Sequence, residues 1–82
     1  MRKRVQEIGN KNLIGKNITA IREKQGISQK ELLKRLIING GADSLGASAL
    51  SKVEGQQRLV TDMELVAISK ALGVKIENLL KA

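Results

Sequence analysis

The chain has 82 residues, which is enough for one small domain with a single core. It contains no Cys and no His, which excludes disulfides, thiolate or imidazole zinc sites, and enzymes with a histidine base or a cysteine nucleophile. We therefore expect no enzymatic activity, cofactor, metal or small-molecule ligand. No signal peptide or run of about eighteen apolar residues is recognisable, so we expect a cytoplasmic protein without a membrane partner.

The positive charge is unevenly distributed along the chain. The formal net charge is +7 and the isoelectric point is near 10.2. Residues 1–35 contain ten of the fifteen Lys and Arg but only three Glu, whereas residues 36–82 contain five residues of each sign. This asymmetry favours a phosphate-rich partner; a basic surface that serves only solubility is the alternative. Because no aromatic residue is present to stack on unpaired bases, single-stranded nucleic acid is a weak candidate.

Residues 1–11 are predicted to form a basic arm, and residues 12–82 a single domain. The arm carries Arg2, Lys3 and Arg4 in succession and has no sustained apolar period. Arms of this kind can reach around duplex DNA, although a solvated terminus would have the same composition.

Two helices joined by a short turn are predicted over residues 13–36. A first helix has its apolar stripe at positions 14, 18 and 21; Asn12 is its expected cap and Gly26 its end. Ser28 and Glu31 form a capping-box pattern at the start of a second helix. The buried face of that second helix is predicted to consist of Leu32, Leu33 and Leu36.

A loop follows the second helix, because glycines and small polar residues break the helical pattern. Its last part, GADSLGAS at 41–48, has two glycines five residues apart, as a phosphate-binding loop does. That motif requires a lysine where this chain has Ala47, and it follows a β-strand that this sequence does not predict. We therefore interpret the stretch as a connection between helices and not as a nucleotide site.

Three further helices are predicted after this loop. Residues 47–54 form a short third helix with Leu50 and Val53 buried and with Ser51 less exposed than its neighbours. A fourth helix begins at a capping box of Thr61 and Glu64. The predicted core residues of the fourth helix are Met63, Leu65, Ile68 and Leu72, and those of the last helix, 76–81, are Ile76, Leu79 and Leu80. The fold class is therefore all-α, with five helices.

This arrangement resembles the phage repressor and Cro-like helix-turn-helix family, also called the xenobiotic response element family. The resemblance is carried by IGKNITAIREKQGISQKELLKRL at 14–36, SALSKVEGQQR at 48–58 and TDMELVAISKALGVKIENLL at 61–80. It implies a compact, repressor-like helix-turn-helix domain whose third helix enters the major groove of double-stranded DNA. It also implies a transcriptional regulator, of the repressor type, that binds as a homodimer. The dimer is expected to use the fifth helix and its neighbours.

The resemblance implies particular DNA contacts. They are Gln29, Lys30, Ala47, Ser48, Ala49, Lys52, Gln57 and Arg58. Gln29 matches a glutamine that touches a phosphate, with an exposed first-turn residue as the alternative. The turn GQQR at 55–58 matches one that contacts the DNA backbone, where Arg58 is expected to hold a phosphate. Lys52 and Ser48 match positions that meet base edges, with a solvated lysine or a phosphate contact as the alternative for Lys52. Arg22 and Glu54 match a structural ion pair between the first helix and the end of the third.

The sequence departs from the family pattern at three places. Residues 37–43, IINGGAD, are an insertion that leaves the tilt of the third helix open. Ala47 stands where a large polar residue is common, so DNA shape or the arm is expected to contribute to specificity. Gly55 follows Glu54 directly, one residue earlier than the glycine of this turn in the family pattern.

The alternative function is a protein-interaction module, such as an antitoxin-like or assembly partner, because small outward residues on the third helix suit a close helix contact.

Overall fold

The computed structural model describes residues 11–39 and 44–81, which form five helices and no strand. In chain order the helices are α1 (Gly15–Gln25), α2 (Gln29–Ile38), α3 (Ala47–Glu54), α4 (Asp62–Leu72) and α5 (Ile76–Leu80). The predicted all-α class with five helices is confirmed. The predicted arm residues Arg2, Lys3 and Arg4 lie outside the described residues.

Local signals set the two ends of α4 and the end of α1. Thr61 and Glu64 form the predicted capping box, in which each side chain accepts a hydrogen bond from the other's backbone N–H. Gly26 and Gly73 follow α1 and α4 with φ angles of 73° and 69°. These angles lie in the left-handed region, where a residue without a Cβ is favoured, so both helices end at the glycines that the sequence indicates.

The starts of α1 and α2 differ in part from the prediction. Ser28 Oγ accepts a hydrogen bond from the Glu31 backbone N–H, but the Glu31 carboxylate pairs with Arg35 and does not complete a capping box. Asn12 does not occupy the cap position of α1, because this helix begins only at Gly15. The Asn12 side chain nevertheless accepts a hydrogen bond from the Gly15 N–H, over 2.8 Å.

One apolar core lies between the helices. α2 packs against α3 and α4, α1 packs against α3 and α5, and α4 packs against α5. The buried hydrophobic residues are Ile14, Ile18, Leu32, Leu36, Leu45, Leu50, Val53, Ala67, Ile68, Ala71, Leu72 and Leu79. Complete burial of a leucine or valine contributes about 1.5–3 kcal/mol. Leu50 and Val53 therefore hold the inner face of α3 on the core and leave its other face to solvent.

Two predicted core residues are exposed. Met63 is 79% exposed and Leu80 is 46% exposed, so neither fills the core as expected. The buried stripe of α4 runs through Glu64, Ala67, Ile68, Ala71 and Leu72. Ile68 and Leu72 are buried as predicted and Leu65 is half-buried, while the two alanines complete the inward face.

The predicted insertion at 37–43 begins inside a helix. Ile37 and Ile38 form the last residues of α2, and both side chains are exposed. The connection before α3 is therefore shorter than the sequence indicated, and residues 40–43 of it lie outside the described residues. After this connection Leu45 is fully buried and fixes the chain to the core just before α3 begins.

Candidate nucleic-acid interface

The outward face of α3 is small, polar and basic. Ala47, Ser48, Ser51 and Lys52 are exposed on it, opposite the buried Leu50 and Val53. The exposure of Ser51 contradicts the expectation that it packs locally; it follows from its position one turn after Ala47. Ala49 is half-buried and packs against the core, which leaves it less accessible than the other proposed contacts.

The start of α2 lies beside the start of α3. Gln29, Lys30 and Ala47 line one pocket together with Leu33 and Leu50. Gln29 is half-buried and Lys30 is exposed. Among the residues that the structure describes, neither side chain has a hydrogen-bond partner. The structure thus brings together Gln29, Lys30 and Ala47 of the proposed contacts, and the polar groups of Gln29 and Lys30 are available to a ligand.

An ion pair holds the end of α3 to α1. Arg22 Nη2 lies 3.1 Å from Glu54 Oε1, and the two side chains are only 13% and 5% exposed. Arg22 Nε also donates to Glu54 Oε2, and Thr19 Oγ1 donates to Glu54 Oε1 over 2.8 Å. The pair expected from the resemblance is present, and its multiple hydrogen bonds fix the side chain of Glu54 against α1.

Asn12 joins α1 to the turn that follows α3. Its Nδ2 donates to the carbonyl oxygens of Val53, over 3.1 Å, and Arg58, over 2.8 Å. Gln56 Nε2 donates in return to the Asn12 carbonyl oxygen, and the Lys11 N–H donates to the Gln56 carbonyl oxygen. The sequence indicated only a local helix cap for Asn12. Its partners more than forty residues away give no local sequence signal.

The turn after α3 explains the displaced glycine. Gln56, not Gly55, adopts the left-handed conformation, with φ of 58°, whereas Gly55 has φ of −83°. The glycine one residue early is therefore not the residue that reverses the chain. Gln57 is exposed, and its N–H donates to the Lys52 carbonyl oxygen, which places this turn directly beside α3.

A cluster of four side chains, which we call the Glu64 cluster, connects the segments before and after α3. It consists of Ser44, Arg58, Thr61 and Glu64. Glu64 is 4% exposed, and its carboxylate accepts hydrogen bonds from Ser44 Oγ (2.6 Å), Arg58 Nη1 (2.9 Å), Arg58 Nη2 (3.0 Å) and the Thr61 N–H (3.0 Å). The sequence missed this cluster, since it assigned Arg58 only to phosphate contact.

The electrostatics of the Glu64 cluster stabilise the ionised carboxylate. The hydrogen bonds from Arg58 lower the pKa of Glu64 to about 2, against the opposing effect of burial, and Ser44 and Thr61 lower it further. The same hydrogen bond raises the pKa of the Arg58 guanidinium. Arg58 is thus engaged by a protein carboxylate, and its expected phosphate contact stays a prediction.

Lysines supply the positive charge that has no ion-pair partner. In residues 11–39 and 44–81, the three arginines form ion pairs with Glu54, Glu31 and Glu64, while every lysine is exposed.

Within the same ranges no group of acidic side chains is arranged to hold a metal ion, and no helix is long and apolar enough to cross a membrane. Comparisons of the chain with protein-family models, with curated proteins and with solved structures give no match.

Proposed function

We propose that the protein is a sequence-specific double-stranded DNA-binding regulator of transcription that acts as a repressor in the cytoplasm. The proposal is supported chiefly by the position of Gln29 and Lys30 of α2, which lie beside Ala47 at the start of the outward face of α3. The face is polar and basic, and it is held at both ends to the rest of the domain. A rigidly held, exposed helix with small side chains can approach base edges closely in a major groove.

In this proposal the two helices divide the contacts between them. Lys52 donates to guanine O6 or N7, the hydroxyls of Ser48 and Ser51 reach neighbouring base edges, and Ala47 meets a thymine methyl group. Gln29 and Lys30 at the start of α2 hydrogen-bond the phosphate backbone and set the orientation of the protein on the duplex. Because direct contacts are few, sequence-dependent DNA shape contributes to the specificity.

We further propose that two copies bind one DNA site. Leu13, Leu59 and Leu80 are exposed, and all three line one open groove, to which α5 contributes Leu80, its last residue. Exposed leucines gathered on one surface favour contact with another protein. A second copy joined there would present two α3 helices to one duplex, and two-fold symmetry of the protein requires a palindromic site.

Selection of bound sequences from a pool of random duplexes tests the proposed function. We expect recovery of a defined motif with two inverted half-sites about one helical turn, 10–10.5 base pairs, apart. We call the recovered sequence the selected duplex. Recovery of random sequence would contradict sequence-specific binding, and recovery of a single half-site would contradict the dimer alone.

A protein-interaction module is the second candidate, and the exposed leucines of the groove favour it. Retention on heparin and a gel shift with random duplex at low salt separate the two functions. Binding through the lysines must weaken steeply as salt increases, because phosphate contacts release counterions. Weak retention that does not depend on salt would favour the interaction module.

A further inference from the structure

Both segments that flank α3 are attached to one buried carboxylate. Before the helix, Ser44 Oγ donates to Glu64 Oε2 over 2.6 Å; after it, Arg58 Nη1 and Nη2 donate to the two carboxylate oxygens. Arg58 Nη2 also lies 3.4 Å from the Ser44 carbonyl oxygen, so the two segments contact each other directly. Glu64 itself belongs to α4 and is fixed there by its capping box with Thr61.

We propose that Glu64 is a positioning residue that sets the orientation of α3 relative to DNA. This inference rests on the proposed function, and it names the residue that determines specificity without touching the duplex. Glu64 is buried and negatively charged, so direct contact with a phosphate or a base edge is excluded for it. Its effect must pass through Ser44 and Arg58, the residues that enter and leave the α3 region.

α3 is held on the core by contacts that do not involve the Glu64 cluster. Leu45 next to Ser44 is fully buried, and Leu50 and Val53 hold α3 on the core independently of Glu64. Loss of the carboxylate charge therefore leaves α3 folded on the domain but removes the hydrogen bonds that define where its two flanks lie. Contacts to base edges depend on positions within a few tenths of an ångström, whereas contacts from flexible lysines to phosphates do not.

Loss of the Glu64 charge also frees Arg58, and this second effect strengthens binding to DNA of any sequence. In the parent, the Arg58 charge is paired with Glu64 over 2.9 Å. In Glu64→Gln the guanidinium loses its charged partner and becomes available to phosphates of any sequence. The substitution is therefore expected to weaken binding to the selected duplex but not to random duplex. General destabilisation of the protein would weaken both.

The test compares Glu64→Gln and Ser44→Ala with Glu77→Gln, a control at an exposed glutamate of α5. Ser44→Ala keeps the ion pair of Arg58 with Glu64, so this variant can be used for the binding test if Glu64→Gln does not fold. We expect Glu64→Gln to lose at least about tenfold in affinity for the selected duplex, the equivalent of one base contact, with less than about threefold change on scrambled duplex. Ser44→Ala should change in the same direction by a smaller factor. An equal loss on both duplexes, or no loss on either, would overturn the proposal.

Amide hydrogen exchange gives a readout that does not require DNA. We expect the amides of residues 50–54 to exchange faster in Glu64→Gln than in the parent, relative to the amides of α1, because the flanks of α3 are loosened. Unchanged protection of α3, or a uniform increase in all helices, would contradict the positioning role. If the parent shows no preference for any duplex, the proposed function fails, while the exchange result still decides whether Glu64 positions α3.

Discussion

Arg22 and Arg35 each face a glutamate, yet the two ion pairs differ in burial. The Arg22–Glu54 side chains are 13% and 5% exposed, whereas those of Arg35 and Glu31, one helical turn apart with a separation of 3.5 Å, are 36% and 42% exposed. An exposed pair contributes about 0–1 kcal/mol, because water solvates either charge when the other is removed. A buried charge that loses its partner is not solvated by water in this way. Disruption of the Arg22–Glu54 pair therefore destabilises the fold more than disruption of the Arg35–Glu31 pair.

We predict that Glu54→Ala or Arg22→Ala lowers the free energy of unfolding by about 2–4 kcal/mol, since each variant leaves one charge buried without its partner. Replacement of both residues by apolar ones of matched size should cost less than either single change. Urea melts measure these differences, with Glu31→Ala as the control at the exposed pair. Single variants as stable as the parent would mean that the pair contributes nothing to the fold.

The depressed pKa of Glu64 predicts a defined acid sensitivity. Its folded-state pKa of about 2 lies below the ordinary value of 4.5, so the ionised carboxylate stabilises the folded state above the ordinary pKa. This contribution, about 3 kcal/mol, is lost as the pH falls through the window from about 5 to about 2. In Glu64→Gln the free energy of unfolding should decrease less over this window than in the parent. Urea melts at several pH values check this; identical pH profiles for parent and variant would contradict it, and Glu77→Gln serves as the control.

At the scale of elements, the close approach of α1 to α3 depends on a glycine. A Cβ added at Gly15 would lie against the carbonyl oxygens of Val53 and Glu54, the latter at 2.8 Å. Both contacts are with backbone atoms, which cannot rotate away as the end of a flexible side chain can. The first residue of α1 therefore has to be small for α1 and the end of α3 to pack together.

Gly15→Ala is predicted to destabilise the protein by about 1–3 kcal/mol, because α1 must move away from α3. Gly55→Ala is the matched control, since φ at Gly55 is −83° and an added Cβ there would have its nearest neighbour at 3.5 Å. The control should change stability by less than about 1 kcal/mol. Midpoints of urea unfolding compare the two, and equal midpoints would contradict the close packing of the helices.

α3 as an element carries the proposed base contacts, and Lys52 is their strongest donor. We predict that Lys52→Ala costs about 1–3 kcal/mol in binding to the selected duplex and much less on scrambled duplex. Lys70→Ala, at an exposed lysine near the end of α4, is the control for general loss of charge. A uniform loss on both duplexes would assign Lys52 to a phosphate and not to a base.

Short-range patterns predicted the elements better than they predicted the contacts between them. The cap of Ser28 and the capping box of Thr61 and Glu64 follow from residues three positions apart, and the structure contains both hydrogen bonds to the backbone. The exposure of Met63 was not predictable in this way, because it depends on which neighbours α4 packs against. The same limit applies to Asn12 and Arg58, whose polar partners become identifiable only once the helices are assembled.

Over the whole molecule, the excess positive charge lies in the first part of the chain, which also supplies exposed lysines. Residues 1–35 have a net charge of +7, and α2, which begins in this part, contributes the exposed Lys30 and Lys34. The described arginines are neutralised by glutamates, so the attraction to phosphates comes from lysines, which act as hydrated point charges. Lysine–phosphate contacts form with a duplex of any sequence, so discrimination between sequences depends on contacts from α3.

The insertion at 37–43 shows how far the sequence determined the site. The position of α3 was predictable, as were the two residues, Leu50 and Val53, that bury its inner face. Its orientation was not, because it depends on the Glu64 cluster and on Asn12, which join segments far apart in sequence. The half-burial of Ala49 likewise follows from its contact with the core, whereas the exposure of Ser51 follows from its spacing from Ala47.

Sequence recognition by α3 requires that the unmodified protein bind one duplex more tightly than another. Fluorescence anisotropy titrations of the parent with the selected duplex and with its scrambled counterpart, at about 150 mM salt, give the two dissociation constants. We predict that the selected duplex binds at least about 10³-fold more tightly, as base readout by α3 requires. Dissociation constants that agree within about threefold would contradict sequence-specific recognition, since lysine–phosphate attraction alone gives equal affinities.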